Sequence, residues 1–264
     1  MLLYGRTQPL ADLSIGKAID TIARVGFEGA EICLENPELA PATLTEAMAR
    51  DVVKRAKDAG LKKWSVSYHV DFMRNDDMLE GSLKAIRLMH AFESNVFVFS
   101  NIRCAKPTDA DWRLLVERTK PLIEAAEACG VTLAEEPEPG FLIGSTTDMH
   151  RYFELVPSPR LAVNMDIGHS FLCDPDPMEA IRSLKGRIAH CHVENMPKGE
   201  HRHLPPDEGD MDLAAYFNVL AAVGFRGGMA LDLYKTDYAA VAERTLPLMR
   251  RLRDEAMEKA KREG

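Results

Sequence analysis

Short apolar runs alternate with longer amphipathic segments along the whole chain. A short run bounded by polar or turn-forming residues is typical of a buried strand. Eight such runs predict strands, and they span residues 2–4, 29–34, 64–69, 96–100, 132–136, 161–166, 188–193 and 229–233. The pattern therefore indicates a sheet whose strands are separated by helices.

The segments between the predicted strands carry apolar residues at helical spacing. Clear examples run over residues 15–23, 52–59 and 114–126. Three helical segments end at a glycine, at Gly26, Gly60 and Gly224. Glycine readily adopts the left-handed conformation that follows a last helical turn, so these residues predict helix ends.

Eight strand–helix units in this order favour a closed α/β barrel with right-handed crossovers. An open doubly wound sheet is the alternative, and it usually carries a glycine-rich phosphate loop after its first strand. Residues 4–9, Tyr-Gly-Arg-Thr-Gln-Pro, are not such a loop. A length of 264 residues also suits one barrel better than two small domains. We therefore expect a single (β/α)8 TIM barrel domain spanning residues 1–264.

Composition narrows the class of protein. An apolar share of 46% and a charged share of 28% are ordinary for a globular protein with a sizeable core. The net charge of −8 argues against a nucleic-acid partner, because phosphates require a basic surface. Five scattered cysteines, an N-terminus without signal-peptide features and the lack of a bilayer-length apolar run predict a cytoplasmic protein without membrane contact.

Residues able to bind a metal lie at the carboxyl ends of the last four predicted strands, the end of a barrel that carries active sites. Strand side chains alternate between the two faces of a sheet. One face holds a small or polar residue below a carboxylate or imidazole on every strand, as Ala134/Glu136, Asn164/Asp166, His190/His192 and Ala230/Asp232. The other face is mostly bulky and apolar, and we expect it to pack against the helices.

Carboxylates grouped with one neutral imidazole suit a divalent cation such as Mn²⁺, Mg²⁺, Co²⁺ or Zn²⁺. Each residue taken alone has a structural explanation. Asp166 could cap the following turn, and His190 could be a hydrogen-bonded interior residue. Glu135 could face inward instead of Glu136 if the register slips. The matching parity on four consecutive strands favours the metal site.

Four motifs carry a family resemblance: residues 133–140 (Leu-Ala-Glu-Glu-Pro-Glu-Pro-Gly), 166–169 (Asp-Ile-Gly-His), 190–192 (His-Cys-His) and 203–212 (His-Leu-Pro-Pro-Asp-Glu-Gly-Asp-Met-Asp). Through them the chain resembles the xylose isomerase-like barrel superfamily, in its sugar phosphate isomerase/epimerase branch. The resemblance extends from residues 25–31 to 224–232. It implies one divalent metal ion, with Mn²⁺ favoured, bound by Glu136, Asp166, His192 and Asp232.

The resemblance also implies a reaction, in which a small keto-sugar or related hydroxy-ketone is isomerised or epimerised in carbohydrate metabolism. The metal would polarise the substrate's oxygens and stabilise an enediolate. Glu136 would take the α-proton and Asp232 would return one, which makes these two carboxylates the predicted catalytic pair. Barrels of this kind often associate, so a homo-oligomer is compatible with this expectation.

Four further residues are predicted to contact the substrate. His169 occupies the position of a substrate-hydroxyl contact in the family, and it could alternatively bind a second metal ion. Arg202 and His203, in the loop after strand seven, could clamp a hydroxyl, carboxylate or phosphate group. His69 lies at the tip of strand three.

The chain departs from the family pattern at three positions. Asp232 stands where the family usually has glutamate, and the loss of one methylene withdraws the carboxylate by about 1.5 Å. Asp207 replaces a glycine, and Glu194 replaces an aspartate. The change at Asp232 leaves a metal ligand that could be too short to reach a substrate proton.

Three other functions are alternatives for this sequence. A lyase or dehydratase could use the same metal and base for β-elimination, and the aspartate at 232 favours it. An abasic-site DNA endonuclease of related fold would hold three zinc ions, but strand four ends Phe-Ser-Asn-Ile without a histidine, and the chain is acidic. A non-catalytic subunit that binds a partner is the third alternative.

Overall fold

Eight parallel strands close into a barrel in the computed structural model, which describes residues 1–263. Each strand pairs with the next, and β8 pairs with β1. This confirms the predicted TIM barrel. The strands are β1 (Leu2–Arg6), β2 (Gly29–Cys33), β3 (Lys63–Tyr68), β4 (Val96–Phe99), β5 (Thr132–Glu135), β6 (Leu161–Asp166), β7 (Ile188–Val193) and β8 (Gly228–Leu231).

Helices connect the strands and cover the outside of the barrel. They are α1 (Ile15–Val25), α2 (Glu46–Asp58), α3 (Asp76–Leu88), α4 (Asp109–Cys129), α5 (Thr146–Leu155), α6 (Ile167–Cys173), α7 (Pro177–Ser183), α8 (Leu213–Ala222) and α9 (Tyr238–Glu263). Within residues 1–263, none of these helices combines the length and apolar character needed to cross a membrane.

The predicted helix ends at glycine are confirmed. Gly26, Gly60 and Gly224 have φ values of 101°, 86° and 84°. Gly26 directly follows the last residue of α1, and Gly60 and Gly224 each lie two residues beyond the last residue of α2 and α8. Polar side chains fix several helix starts. The hydroxyl of Thr108 accepts the backbone N–H of Asp111, whose carboxylate accepts that of Thr108, so α4 begins with a capping box.

The alternation of side chains across the strands is confirmed. The residues predicted to face the helices, among them Leu133, Val163 and Leu231, are buried in the apolar core between sheet and helices. The bottom of the barrel interior is filled by Tyr4. Gly29 and Gly228 flank its ring, and a Cβ on either would come within 2.3 Å of a ring carbon. The upper interior is polar, and this is where the candidate site lies.

Five of the predicted strands, β2, β3, β4, β5 and β8, end one or two residues earlier than the sequence pattern indicated. At β5 and β8 the backbone beyond the strand end keeps its register. Glu136 follows β5, and its N–H donates to the carbonyl of Phe99 at 2.9 Å. Asp232 follows β8, and its N–H donates to the carbonyl of Val193 at 3.0 Å. Both carboxylates therefore keep the orientation that strand alternation predicts.

Candidate metal centre and substrate cavity

The four predicted metal ligands converge at the top of the barrel. Glu136, Asp166, His192 and Asp232 are all buried, and their candidate ligand atoms lie within 4.8 Å of one another. Nδ1 of His192 is at the middle of the group. It lies 3.0 Å from Oε1 of Glu136 and 3.8 Å from Oδ2 of both Asp166 and Asp232.

Asp166 has two roles that the sequence presented as alternatives. Its Oδ1 accepts the backbone N–H of His169 at 2.7 Å and caps α6. Its Oδ2 is buried and has no hydrogen-bond partner. A buried carboxylate oxygen without a partner is costly unless a cation or donor satisfies it. The cap therefore leaves one oxygen free for the centre.

The opposite side of His192 is held by residues that the sequence analysis missed. Nε2 of His192 donates to Oε2 of Glu31 at 2.8 Å. Oε1 of Glu31 accepts from Nε of Arg6 at 2.9 Å, and Arg6 also pairs with Asp232. Arg6 and Glu31 lie opposite each other on β1 and β2. Extending the strand alternation to these two strands would have identified them.

The charges in this cluster favour a cation. Four carboxylates (Glu31, Glu136, Asp166 and Asp232) surround one guanidinium and one imidazole. Burial by itself would raise the pKa of Glu136, but His192, His69 and His169 lower it well below its usual range. Burial opposes the charge of His192, whereas Glu136 and Glu31 raise its pKa well above the usual value. In the metal-free protein the raised pKa keeps a proton on Nδ1 of His192. A cation bound at this atom would displace that proton.

Asp232 is held by two side chains from outside the candidate ligand set. Arg6 pairs with its Oδ1, and the hydroxyl of Tyr234 donates to its Oδ2 at 3.3 Å. Although burial raises the pKa of Asp232, the Arg6 guanidinium and His192 lower it below its usual range. The side chain is therefore kept ionised and oriented towards the centre.

Hydrogen bonds decide two questions that the sequence left open, the orientation of Glu135 and the role of His190. Glu135 points away from the centre, and its Oε1 accepts from the amide of Asn101 at 2.6 Å, while burial raises its pKa well above the usual range. His190 is an interior residue, 3.0 Å from Ser65 Oγ and 2.9 Å from Asn164 Oδ1. Burial lowers the pKa of His190 to about 3.

Glu194 and Asp207, the other two departures from the family pattern, lie in different surroundings. Glu194 is buried, and its Oε1 accepts the backbone N–H of Gly168 at 2.8 Å. A Cβ at Gly168 would lie 2.1 Å from that oxygen, so the long carboxylate requires a glycine there. Asp207 forms an ion pair with Arg244 at 3.1 Å, outside the centre.

A cavity of about 1030 Å³ opens above the four candidate ligands. Glu136 and Asp232 lie in its wall, and so do the four predicted substrate contacts, His69, His169, Arg202 and His203. Nδ1 of His69 lies 3.3 Å from Oε2 of Glu136. The cavity therefore brings together every predicted site residue on its wall except the deeper Asp166 and His192.

Three of the cavity-wall residues that the sequence analysis did not select lie close to the predicted site residues. Tyr234 contacts Arg6 and Asp232, and His201 lies between His169 and His203. Burial lowers the pKa of His201 to about 4. Glu138 is the third, and burial together with Glu136 raises its pKa to about 7. Loop residues such as these have no periodicity that could have identified them.

Comparison with known proteins places this geometry in a family. The family model for the xylose isomerase-like TIM barrel matches residues 19–254. A fructoselysine 3-epimerase of Escherichia coli O157:H7 is 27% identical over 130 residues, 48% of this chain and 47% of the relative. A 3-dehydroshikimate dehydratase of Pseudomonas putida is 26% identical over 249 residues, 88% of this chain and 38% of the relative. The chain spans less than half the length of these relatives.

Solved structures share the fold at low sequence identity. An L-ribulose 3-epimerase structure superposes with a TM-score of 0.81 at 18% identity, covering 98% of this chain and 97% of that one. A probable 3-DHS dehydratase from Bacillus anthracis gives a TM-score of 0.82 at 16% identity, covering 95% and 99%. Both the barrel and its connections are thus common to these proteins.

Proposed function

The chain belongs to the xylose isomerase-like TIM barrel family, and from this premise we propose that it is a divalent-metal-dependent isomerase or epimerase of a keto-sugar or related hydroxy-ketone. One observation carries the proposal. Three carboxylates and the Nδ1 atom of His192 converge where a large cavity meets the barrel, and the buried Oδ2 of Asp166 lacks a partner. The names of the relatives, sugar epimerases among them, support this reaction class.

Glu136, Asp166, His192 and Asp232 would hold the metal. Three oxygen donors and one nitrogen suit Mn²⁺ first, with Mg²⁺, Co²⁺ or Zn²⁺ as alternatives. The bound ion would polarise the substrate's carbonyl and hydroxyl oxygens and stabilise the enediolate. Glu31 would keep the imidazole of His192 oriented, because its carboxylate accepts the Nε2 proton.

Glu136 is the proposed base. Its low pKa keeps it ionised, and it lies in the cavity wall beside His69. It would take the α-proton of the substrate. Asp232 is the second proposed catalytic carboxylate, for return of a proton to the opposite face or to the adjacent carbon. Its pairing with Arg6 favours the ligand role, because a carboxylate held ionised is a weak proton donor.

The substrate would be bound by side chains with several polar atoms. His69 and His169 lie next to Glu136, with Nδ1 atoms 3.3 and 3.6 Å from its oxygens, so they are placed to contact hydroxyl groups near the reacting carbon. His203 also lies beside the centre, with Nδ1 3.5 Å from Oδ2 of Asp232. Arg202 lies in the same wall and suits a hydroxyl, carboxylate or phosphate group. A small polyhydroxylated molecule fits this arrangement.

A lyase or dehydratase is the second candidate. The observation in its favour is the pairing of Arg6 with Asp232, since elimination needs one base and a separate acid, whereas two-base epimerisation needs Asp232 itself to donate a proton. The match to the 3-dehydroshikimate dehydratase, which covers 88% of this chain, supports the same alternative.

Incubation with a panel of ketoses in deuterated water, with Mn²⁺ present, tests the proposal. We expect deuterium at the carbon next to the carbonyl together with an isomerised or epimerised product, both abolished by Glu136→Gln. Glu46 is exposed and lies outside the cavity, so Glu46→Gln is the matched control and should leave both results unchanged. Loss of water or of an aglycone would instead support the lyase. Metal-independent exchange, or exchange unaffected by Glu136→Gln, would contradict the proposal.

A further inference from the structure

We infer that the phenol of Tyr234 is a further catalytic group, which donates a proton to the face of the substrate opposite Glu136. The inference rests on the proposed function and refines one step of it, the return of the proton. In epimerisation a base removes a proton from one face of a carbon, and a second group supplies a proton to the other face. The contacts of Asp232 and Tyr234 favour the tyrosine as this second group.

Both carboxylate oxygens of Asp232 already accept hydrogen bonds. Arg6 donates to Oδ1, and the hydroxyl of Tyr234 donates to Oδ2 at 3.3 Å. A carboxylate oxygen that accepts in this way has no proton of its own to give. The side chain is also one methylene shorter than a glutamate would be at this position. Asp232 is therefore poorly placed to deliver a proton to a substrate carbon.

Tyr234 is the more accessible of the two residues. Both line the cavity, but Tyr234 is 40% exposed and Asp232 is 1% exposed. The two acceptors near the hydroxyl, Oδ2 of Asp232 and Oε1 of Gln8, are each 3.3 Å away. Hydrogen bonds from a hydroxyl to an oxygen are usually about 2.7–2.8 Å long, so neither contact binds the phenolic proton strongly. A substrate in the cavity can therefore take the place of these acceptors.

Tyr234 and Glu136 lie on opposite sides of the barrel mouth. Glu136 follows β5, whereas the hydroxyl of Tyr234 lies 3.1 Å from Nη1 of Arg6 on β1. In the closed order of eight strands, β1 and β5 are four strands apart, which is the largest separation in the barrel. A substrate carbon held between the two side chains would present one face to each of them.

Arg6 and His203 prepare the phenol for this role. A tyrosine that gives up its proton carries a negatively charged oxygen, and the adjacent guanidinium of Arg6 would stabilise that charge. The ring of His203 packs edge to face against the ring of Tyr234, with centroids 5.0 Å apart and an angle of 88° between the planes. These contacts hold the hydroxyl beside the proposed metal centre.

The proton transfers balance over one turnover. Glu136 takes the proton from the α-carbon, and the electron pair of the broken C–H bond enters the enediolate. The O–H bond of Tyr234 then breaks, its proton forms a new C–H bond on the opposite face, and its electron pair stays on the phenolate oxygen. Glu136 has gained one proton and Tyr234 has lost one, so exchange with water in the open cavity restores both groups.

Tyr234→Phe tests the inference, because it removes the hydroxyl and keeps the ring. The variant is incubated with Mn²⁺ in deuterated water with a panel of ketoses that includes D-fructose, D-tagatose and L-ribulose. We expect formation of the epimer to fall by about 100-fold or more, as is typical when a general acid is lost. Deuterium should still enter the α-carbon of the recovered ketose without inversion, because Glu136 can take and return a proton on its own face. Tyr152→Phe, which removes a buried hydroxyl bonded to Thr119, is the matched control and should change neither rate.

Calorimetric titration with Mn²⁺ separates proton donation from a merely structural role. A proton donor can be removed without loss of metal affinity, so Tyr234→Phe should bind Mn²⁺ as the unmodified protein does. Weaker binding, with exchange and epimer formation reduced equally, would mean that Tyr234 acts only by orienting Asp232. Undiminished epimer formation by Tyr234→Phe would overturn the inference and leave the proposed function intact. If the unmodified protein itself exchanges no α-proton, the proposed function fails and the inference falls with it.

Discussion

Oε2 of Glu31 lies 2.8 Å from Nε2 of His192, on the side of the imidazole opposite Glu136. This contact joins the second strand of the barrel to the seventh. It directs Nδ1 of His192 towards the three carboxylates of the proposed metal centre. Glu31 is itself paired with Arg6, which also holds Asp232, so one buried network supports two of the proposed ligands.

Glu31→Gln should weaken metal binding. Loss of the charge on the residue that orients a metal-binding histidine typically lowers affinity by about 10- to 100-fold. Calorimetric titration of the metal-stripped variant with Mn²⁺ measures this change. Glu46→Gln, at an exposed ion pair, is the control and should bind as the unmodified protein does. An unchanged affinity for Glu31→Gln would mean that Glu31 does not support the centre.

Arg6→Met should destabilise the metal-free protein strongly. The substitution leaves Glu31 and Asp232 buried without their cation, and loss of one partner from a buried ion pair costs about 3–5 kcal/mol. The free energy of unfolding in urea with a chelator measures the effect. Arg50→Met removes an exposed ion pair of α2 and should cost less than about 1 kcal/mol. Equal costs for the two variants would refute the network.

Asp232→Asn and Glu136→Gln should differ in their response to metal. Because Arg6 favours a ligand role for Asp232, saturating Mn²⁺ should restore much of the turnover of Asp232→Asn. Glu136→Gln lacks the base and should stay about 100- to 10,000-fold slower at any metal concentration. Turnover measured against Mn²⁺ concentration separates the two. If Asp232→Asn is equally insensitive to metal, Asp232 acts as an acid/base.

His190 should make the protein sensitive to acid. Its pKa in the folded protein is about 3, below the ordinary value of 6.5, so the unfolded chain binds a proton in this interval that the folded chain does not. Stability is therefore full above pH 6.5 and falls as the pH decreases towards 3.

Replacement of His190 by glutamine tests this relation. The free energy of unfolding of the His190→Gln variant should depend less steeply on pH than that of the unmodified protein. The difference in slope should reach up to about 1.4 kcal/mol per pH unit. Urea unfolding at several pH values between 6.5 and 4 compares the two proteins. Parallel pH profiles would show that His190 does not titrate as described.

The sequence pattern predicted the parts of the site that follow strand periodicity. Glu136, Asp166, His192 and Asp232 share one parity at four successive strand ends, and the barrel brings them together. Arg6 was missed because the first strand was predicted to end at residue 4, whereas its pairing with β2 continues to Arg6.

Loop residues could not be located in the same way. His201 and Glu138 lie in segments without periodic spacing, and only the closed loop between Asn195 and Leu204 and the turn after β5 place them at the cavity. The dual role of Asp166, which caps α6 with one oxygen and leaves the other free, likewise depends on three-dimensional contacts.

Anomalous diffraction from crystals soaked in Mn²⁺ tests the central claim most directly. The account predicts an anomalous peak between Glu136, Asp166, His192 and Asp232, with the Nδ1 atom of His192 turned towards it and Glu31 still bound to Nε2. A map with no peak at these four side chains, or with manganese only elsewhere on the chain, would contradict it.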